Sequence, residues 1–212
     1  EDVFSNLFGG GGFQGGGFPG GGGFGGFGPQ RGSDLTTTSS IDFIDSIHGT
    51  NIKLNVAGNS VTLKVPAGIQ DGQKLKLKGK GQASPNGGQA GDLVVTIKVR
   101  SHPVFTRDGD NVRVVVPVTF TEAVLGATIQ VPVLGGEPVK LKVSPGTPNG
   151  RTLRVKGKGV QGDGRQGDLL ATVEILVPNR INKKAEEALK AFDAEIPEED
   201  PRAELISKAG LL

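Results

Sequence analysis

The sequence has 212 residues and no cysteine, which excludes disulfide bonds, zinc sites built on thiolates and cysteine nucleophiles. It does not begin with methionine, so we expect a fragment or a processed product. No apolar run approaches the length of a transmembrane helix, and no secretory signal pattern opens the chain. These absences are compatible with a reducing compartment, and we expect a cytoplasmic protein that does not enter a membrane.

The formal net charge of +2 conceals an uneven distribution of charge along the chain. Residues 53–158 contain 16 Lys and Arg against 6 Asp and Glu, a net charge of +10. Residues 186–204 contain 8 acidic residues against 2 basic ones, a net charge of −6. The basic middle is suited to acidic peptides or nucleic acid, although a solvated sheet face would have the same composition.

Alternating hydrophobicity predicts β-strands over most of the chain between Leu35 and Pro178. The predicted strands are separated by Gly, Pro and Asn and lie at 51–56, 61–65, 74–78, 93–99, 111–120, 128–133, 139–143, 152–156 and 169–177. Only FIDSIHG (43–49) and FTEAVLG (120–126) are typical of single helical turns closed by glycine. The pattern predicts an all-β fold of the sandwich or barrel type with short helices.

The two ends of the chain differ from its strand-rich middle. Residues 1–33 are rich in glycine and phenylalanine, and low-complexity sequence of this kind is expected to be flexible. Residues 180–212 have helical periodicity, with a helix near 182–195 and a further helical turn beyond Pro201. Their apolar residues include Leu189, Phe192, Leu205 and Ile206. Either a partner chain or the chain's own β fold would cover them.

The strand pattern occurs twice, first at 40–99 and again at 117–175. KLKLKGKG (74–81) in the first copy corresponds to TLRVKGKG (152–159) in the second, and Gly-Asp-Leu recurs at matching places in both. The near-constant offset between the copies predicts two tandem, homologous β repeats. The repeated Gly-Lys-Gly is therefore a duplicated strand and turn rather than a phosphate-binding loop.

No set of residues converges on catalysis, so we predict that the chain is not an enzyme and needs no cofactor or metal. GKGVQG (157–162) matches Gly-x-Gly-x-x-Gly, but no helix follows it to hold a pyrophosphate. His48 and His102 are the only histidines, and surface or capping roles suit them better than a metal site. Asp92 and Asp168 recur in Gly-Asp-Leu, which favours a role in turns over an acid/base pair.

Two strand faces of the first repeat leave a structural and a binding role open. Four lysines alternate along one strand and would share a face, which suits either an acidic partner or a solvated edge strand. They are Lys74, Lys76, Lys78 and Lys80. Ile52, Leu54 and Val56 share another face, which belongs either to the core or to a shallow groove for apolar peptide segments.

The sequence resembles the C-terminal part of DnaJ (heat-shock-protein-40) co-chaperones over essentially its whole length. The resemblance is carried by the Gly/Phe-rich region followed by VPAGIQDGQKLKLKGKGQ, GDLVVTIKVRSHPVFTRDGDNV, LGATIQVPVLGG and GDLLATVEILVP. Zinc-bearing members insert a cysteine-rich module in the first repeat, whereas NIKLNV (51–56) here continues directly into AGNS and VTLKV. The chain is therefore similar to the zinc-free class, which includes bacterial curved-DNA-binding protein. The J domain's His-Pro-Asp signature does not occur in the sequence, so the chain alone is not expected to activate a partner chaperone.

The resemblance implies a role for each part of the chain. Residues 1–33 would be the flexible Gly/Phe-rich region, 34–110 the client-binding C-terminal domain I, 111–179 domain II, and 180–212 a helical dimerisation segment. Unfolded client proteins would bind a shallow groove of domain I. By motif position the groove residues are Leu54, Val56 and Phe105, with Thr37 and Ser39 at adjoining positions that are usually apolar in the family.

The resemblance also implies partners. The chain would form a homodimer and deliver clients to a DnaK-type chaperone when joined to a J domain, and the lysines at 74–80 would bind that chaperone's acidic tail. The alternative is a DNA-binding module of the curved-DNA-binding type, which the basic middle of the chain favours.

Overall fold

The computed structural model describes residues 28–210, so most of the predicted Gly/Phe-rich region (1–27) and residues 211–212 lie outside the described residues. The elements follow one another as β1 (Leu35–Ile41), α1 (Phe43–His48), β2 (Thr50–Val56), β3 (Asn59–Val65), β4 (Lys74–Leu77), β5 (Leu93–Val99), β6 (Phe105–Asp108), β7 (Asn111–Thr119), α2 (Phe120–Leu125), β8 (Ala127–Val131), β9 (Val139–Val143), β10 (Thr152–Val155), β11 (Gln161–Gly162), β12 (Arg165–Gln166), β13 (Leu169–Leu176), α3 (Lys183–Glu195) and α4 (Ala203–Ala209).

The predicted β-rich fold is confirmed, and its strands form open sheets. One sheet has the order β1-β5-β4 and another the order β10-β13-β7-β6. β2 with β3, β8 with β9, and β11 with β12 form two-stranded antiparallel ribbons. The described strands close no barrel, so the sandwich form of the prediction applies.

The predicted duplication is visible in the order of the elements. β1-α1-β2-β3-β4-β5 recurs as β7-α2-β8-β9-β10-β13, and the sheet order β1-β5-β4 recurs as β7-β13-β10. Both helices end at a glycine, Gly49 with φ +79° and ψ 156° and Gly126 with φ +80° and ψ 152°. Only glycine adopts this conformation without strain, which explains why the residue is present in both copies.

The second repeat contains strands that the alternation pattern did not predict. β6 pairs with β7 through a tight turn, with Phe105 opposite Val114. β6 therefore joins the second repeat's sheet although it precedes the predicted domain boundary between 110 and 111. β11 and β12 form a short ribbon between β10 and β13. The division into domains stays a prediction.

The described chain falls into two compact units, one of residues up to Thr36 together with Lys76–Val94, and one of Thr37–Leu75 together with the chain from Val95 onward. In the second unit, α1 packs against the sheet of the second repeat. The apolar cluster between them includes Phe43, Ile47, Val112, Val114 and Leu169, all buried. A smaller cluster contains Val118, Ala123, Val143 and Val173.

The predicted helices at the end of the chain are confirmed as α3 and α4. α3 is capped at its N-terminus by Asn182, whose side chain accepts a hydrogen bond from the Ala185 amide at 2.9 Å. No residue of α3 or α4 is buried. Among the described helices, none combines the length and apolar character needed to span a bilayer.

Candidate functional site

The β2 strand carries an apolar stripe that is only half covered. Ile52, Leu54 and Val56 are partly buried and alternate with exposed polar residues. Across the ribbon, Leu54 lies opposite Val61, which is buried, and Val56 lies opposite Asn59. Strand alternation places the stripe on one face, and partial burial leaves apolar surface there for contact with another chain.

Thr37 and Ser39, the two predicted groove positions on β1, are also half-buried. They alternate with exposed residues and share a face with Ile41, which is buried at the end of the strand. Their hydroxyl groups make this part of β1 polar, as the sequence predicted.

Phe105, in contrast, lies in the core. Its side chain is only 5% exposed and belongs to the apolar cluster that contains Val112 and Val114. Its ring centroid lies 5.1 Å from that of His102, whose ring lies 5.9 Å from Phe43. The side chain of Phe105 therefore packs mainly in the core, and it also lines a cleft that does not contain the β2 stripe.

An open cleft of about 430 Å³ runs beside β6. Its apolar lining includes Phe43, Ile69, Val99 and Phe105, and its polar lining includes His102. Neither Leu54 nor Val56 lines this cleft. The sequence does not predict this cleft, although SHPVFTRDGD (101–110) contributes part of its wall.

Both histidines have structural contacts. The Nδ1 atom of His102 accepts hydrogen bonds from the amides of Val104 at 3.0 Å and Phe105 at 3.2 Å, so the neutral ring carries its proton on Nε2. Nε2 of His48 lies 3.1 Å from the carbonyl oxygen of Leu134. Among residues 28–210, no three His, Cys, Asp or Glu side chains are grouped to hold a metal ion.

The repeated Gly-Lys-Gly turn is held by the aspartate of Gly-Asp-Leu in both copies. The Gly79 amide donates to Oδ1 of Asp92 at 3.0 Å, and the Gly157 amide donates to Oδ1 of Asp168 at 2.9 Å. The turn role predicted for the two aspartates is confirmed. The same amides would be needed to bind a phosphate, so their engagement also supports a structural role for the motif.

Asp92 also binds one of the four lysines. Lys76 Nζ lies 2.9 Å from Oδ2 of Asp92, and Arg31 Nη2 lies 2.8 Å from the same oxygen. The Gly79 amide and then the Lys76 ammonium hold the pKa of Asp92 well below its usual range, although burial acts in the opposite direction. An acid within the chain therefore already offsets part of the lysine charge.

The strand that carries these lysines is short. β4 ends at Leu77, and Lys78 and Gly79 form a turn, so strand alternation relates only Lys74 and Lys76. Lys74, Lys78 and Lys80 are exposed. They form no ion pair with a carboxylate among the described residues.

Apolar side chains remain exposed on the two C-terminal helices. Leu205 and Ile206 are 67% and 66% exposed. Leu189 and Phe192 are less exposed, and the Phe192 ring meets Phe120 of α2 edge-on at a centroid distance of 5.7 Å. Part of α3 thus packs on the chain's own β fold, whereas α4 leaves its apolar residues uncovered by the described chain.

Comparison with known proteins identifies the family. The DnaJ C-terminal domain family matches residues 35–178. The chain belongs to the DnaJ family. It is 52% identical over 154 residues to chaperone protein DnaJ 1 of Streptomyces avermitilis, covering 72% of this chain and 39% of that protein. It is 51% identical over 144 residues to chaperone protein DnaJ 2 of Cutibacterium acnes, covering 68% of this chain and 38% of that protein. This DnaJ-family chain thus spans about two fifths of the length of the curated relatives it matches.

Proposed function

We propose that this DnaJ-family chain is the client-binding and dimerisation part of a cytoplasmic co-chaperone. It binds unfolded polypeptide and passes it to a DnaK-type chaperone when joined to a J domain, without catalysing a reaction or using a cofactor. The observation that carries the proposal is the family match across both β repeats. The half-covered apolar stripe on β2 supplies a surface of the right kind. The family match gives no support to the DNA-binding alternative, which rests only on the basic composition of the middle of the chain.

Client contact at the β2 stripe follows from burial and strand geometry. Leu54 and Val56 point to one side of a two-stranded ribbon and retain exposed apolar area. An extended segment that lies along them would bury this area together with its own apolar side chains, at about 25 cal/mol per Å² removed from water. Thr37 and Ser39 are part of the proposed groove and keep its β1 side polar, so we expect weak binding with little sequence preference.

Suppression of client aggregation tests this assignment. The double variant Leu54→Ser/Val56→Ser should lose most of the activity of the parent chain. Val115→Ser is the matched control, because Val115 is an apolar β-strand residue that is 57% exposed in the second repeat. Equal activity of the double variant and the parent would exclude the groove, and an equal loss in the control would show a non-specific effect of surface polarity.

We propose that the exposed lysines beside β4 bind the acidic tail of the DnaK-type chaperone. Lys74, Lys78 and Lys80 supply the charge, and Lys76 contributes less because it is held by Asp92. Titration of a fluorescent acidic peptide should show weaker binding to Lys74→Glu/Lys78→Glu than to Lys140→Glu/Lys142→Glu, which reverses two exposed lysines of β9. Equal weakening by both pairs would indicate only a general effect of net charge.

We propose that α3 and α4 form a homodimer interface. Leu205 and Ile206 provide its apolar centre, while Leu189 and Phe192 contribute from α3. Sedimentation should show a shift toward monomer for Leu205→Ser/Ile206→Ser. A dimer that persists unchanged in this variant would place the interface elsewhere.

A further inference from the structure

Two arginines from outside the first repeat's sheet converge on one turn of that repeat. Arg107 of β6 donates from Nη1 to the Ile69 carbonyl at 2.5 Å and from Nη2 to the Gly68 carbonyl at 2.7 Å. Arg165 of β12 donates from Nη1 to the same Gly68 carbonyl at 3.1 Å. Gly68 and Ile69 lie in the turn between β3 and β4. The contacts join residues about 40 to 100 positions apart in the sequence.

Both guanidinium groups also contact residues of the turn that follows β6. Arg107 Nε donates to the Gly109 carbonyl at 2.7 Å, and Arg165 Nη1 lies 3.2 Å from Oδ1 of Asp110. Burial and then the nearby Arg165 charge lower the pKa of Arg107. The fold therefore keeps two like charges close together at a cost in desolvation and repulsion, and the multiple directional hydrogen bonds to carbonyl oxygens offset this cost.

The second repeat supplies an internal comparison. Gly146 is the counterpart of Gly68, and both turns have a positive φ, +76° and +82°. A Cβ at Gly68 would lie 2.4 Å from Arg165 Nη1 and 2.8 Å from Val160 Cγ1, whereas a Cβ at Gly146 would meet nothing within 4 Å. The duplicated turn is thus covered by side chains from the other repeat in the first copy only.

Apolar packing also joins the repeats, because Phe43 and Ile47 of α1 lie in one cluster with Leu134 and Val160 of the second repeat. Apolar burial is non-directional, whereas bonds from a planar guanidinium group to carbonyl oxygens restrict both distance and angle. We propose that Arg107 and Arg165 form an arginine latch that fixes the orientation of the β2–β3 ribbon and the turn that follows it against the sheet of the second repeat. This conformational role goes beyond the proposed client-binding function and does not depend on it.

Distance measurement by electron spin resonance tests the latch in the full chain. The chain has no cysteine, so Thr62→Cys on β3 and Lys142→Cys on β9 introduce the only two labelling sites, both on exposed positions. The labelled chain is mixed with an excess of unlabelled chain, so that spin–spin distances between two labelled copies do not contribute to the measurement. Arg165→Ala and Gly68→Ala should each broaden the distance distribution roughly twofold or add a second population. Circular dichroism checks that each variant is folded.

Two matched controls keep the result specific. Arg154→Ala removes an arginine that contacts Asp168 within the second repeat, and Gly146→Ala adds the same backbone cost at an open turn. Neither should change the distribution. Arg165→Lys, which keeps the charge and loses the planar fork, replaces any latch variant that does not fold. Distributions that stay as narrow as in the parent, or that broaden equally in latch variants and controls, would overturn the proposal.

Discussion

Truncation of Phe105 distinguishes a core residue from a client-binding residue. The side chain is 5% exposed and packs against His102 and within the apolar cluster around Val114. Phe105→Ala should therefore destabilise the fold by about 3–5 kcal/mol, as other buried phenylalanines do. That loss is a large fraction of the roughly 5–15 kcal/mol by which a domain is stable. Phe105→Leu keeps most of the apolar volume, and we expect a cost of about 1.5 kcal/mol or less.

Urea unfolding followed by far-UV circular dichroism measures these changes, because the chain has no tryptophan or tyrosine for fluorescence. Leu54→Ser should change stability by about 1 kcal/mol or less, because the side chain is only partly buried. Aggregation suppression is then compared at urea concentrations or temperatures where every variant stays folded. We expect Phe105→Leu to retain the activity and Leu54→Ser to reduce it. A Phe105→Leu variant with parental stability but no activity would refute the reasoning and return Phe105 to the groove.

Three further predictions concern local interactions that affect the stability of the fold. Asp92→Asn should lower the free energy of unfolding at neutral pH. Because folding lowers the pKa of Asp92, the difference in this free energy between parent and variant is largest above the unfolded carboxyl pKa of about 3.9 and shrinks as the pH falls below that value. Unfolding curves recorded from acid to neutral pH would show this change. Thr119→Ala should cost about 0.5–2 kcal/mol in urea unfolding, because Thr119 and Glu122 form a reciprocal capping box at α2. Ala57→Gly should raise the free energy of unfolding by up to about 1 kcal/mol, seen as a higher urea midpoint, because Ala57 has φ +50° in the turn between β2 and β3. An unchanged midpoint would mean that the turn accommodates alanine without strain.

The strands could be predicted where apolar residues alternate over five or more positions. β7 and β13 show this pattern clearly, since buried and exposed residues alternate along β7 and nearly all inward residues of β13 are apolar. β6 escaped prediction because FTRD has one apolar residue, and the strand is formed by its pairing with β7. The two-residue strands β11 and β12 carry no periodicity at all. Pairing with a neighbour, which a local pattern does not contain, creates these three strands.

The site residues divide in the same way. The sequence shows that Leu54 and Val56 alternate with polar residues and so share one strand face. Their partial burial is visible only in the structure, because Val61 and Leu63 of β3 alternate in the same way and are buried. The burial of Phe105 depends on its strand partner β7 and also on α1, which is distant in sequence from β6. The sequence predicts that Lys76 lies on one strand face with the other lysines, free to bind an acidic partner. In the structure it forms an ion pair with Asp92, which lies 16 residues further along the chain. Long-range contacts of this kind decide which members of a local motif stay available for binding.

The two copies separate the scaffold of the fold from the parts that are free to acquire a role. Each Gly-Lys-Gly turn donates its glycine amide to the aspartate of Gly-Asp-Leu, and a basic side chain, Lys76 or Arg154, contacts the same aspartate. Contacts that occur in both copies have a structural role in the fold, and this role is enough to explain why they are present. A role specific to the first copy must therefore use positions at which the copies differ. Two such differences are a lysine at position 74, where the second copy has threonine, and the covering of the Gly68 turn by Arg165.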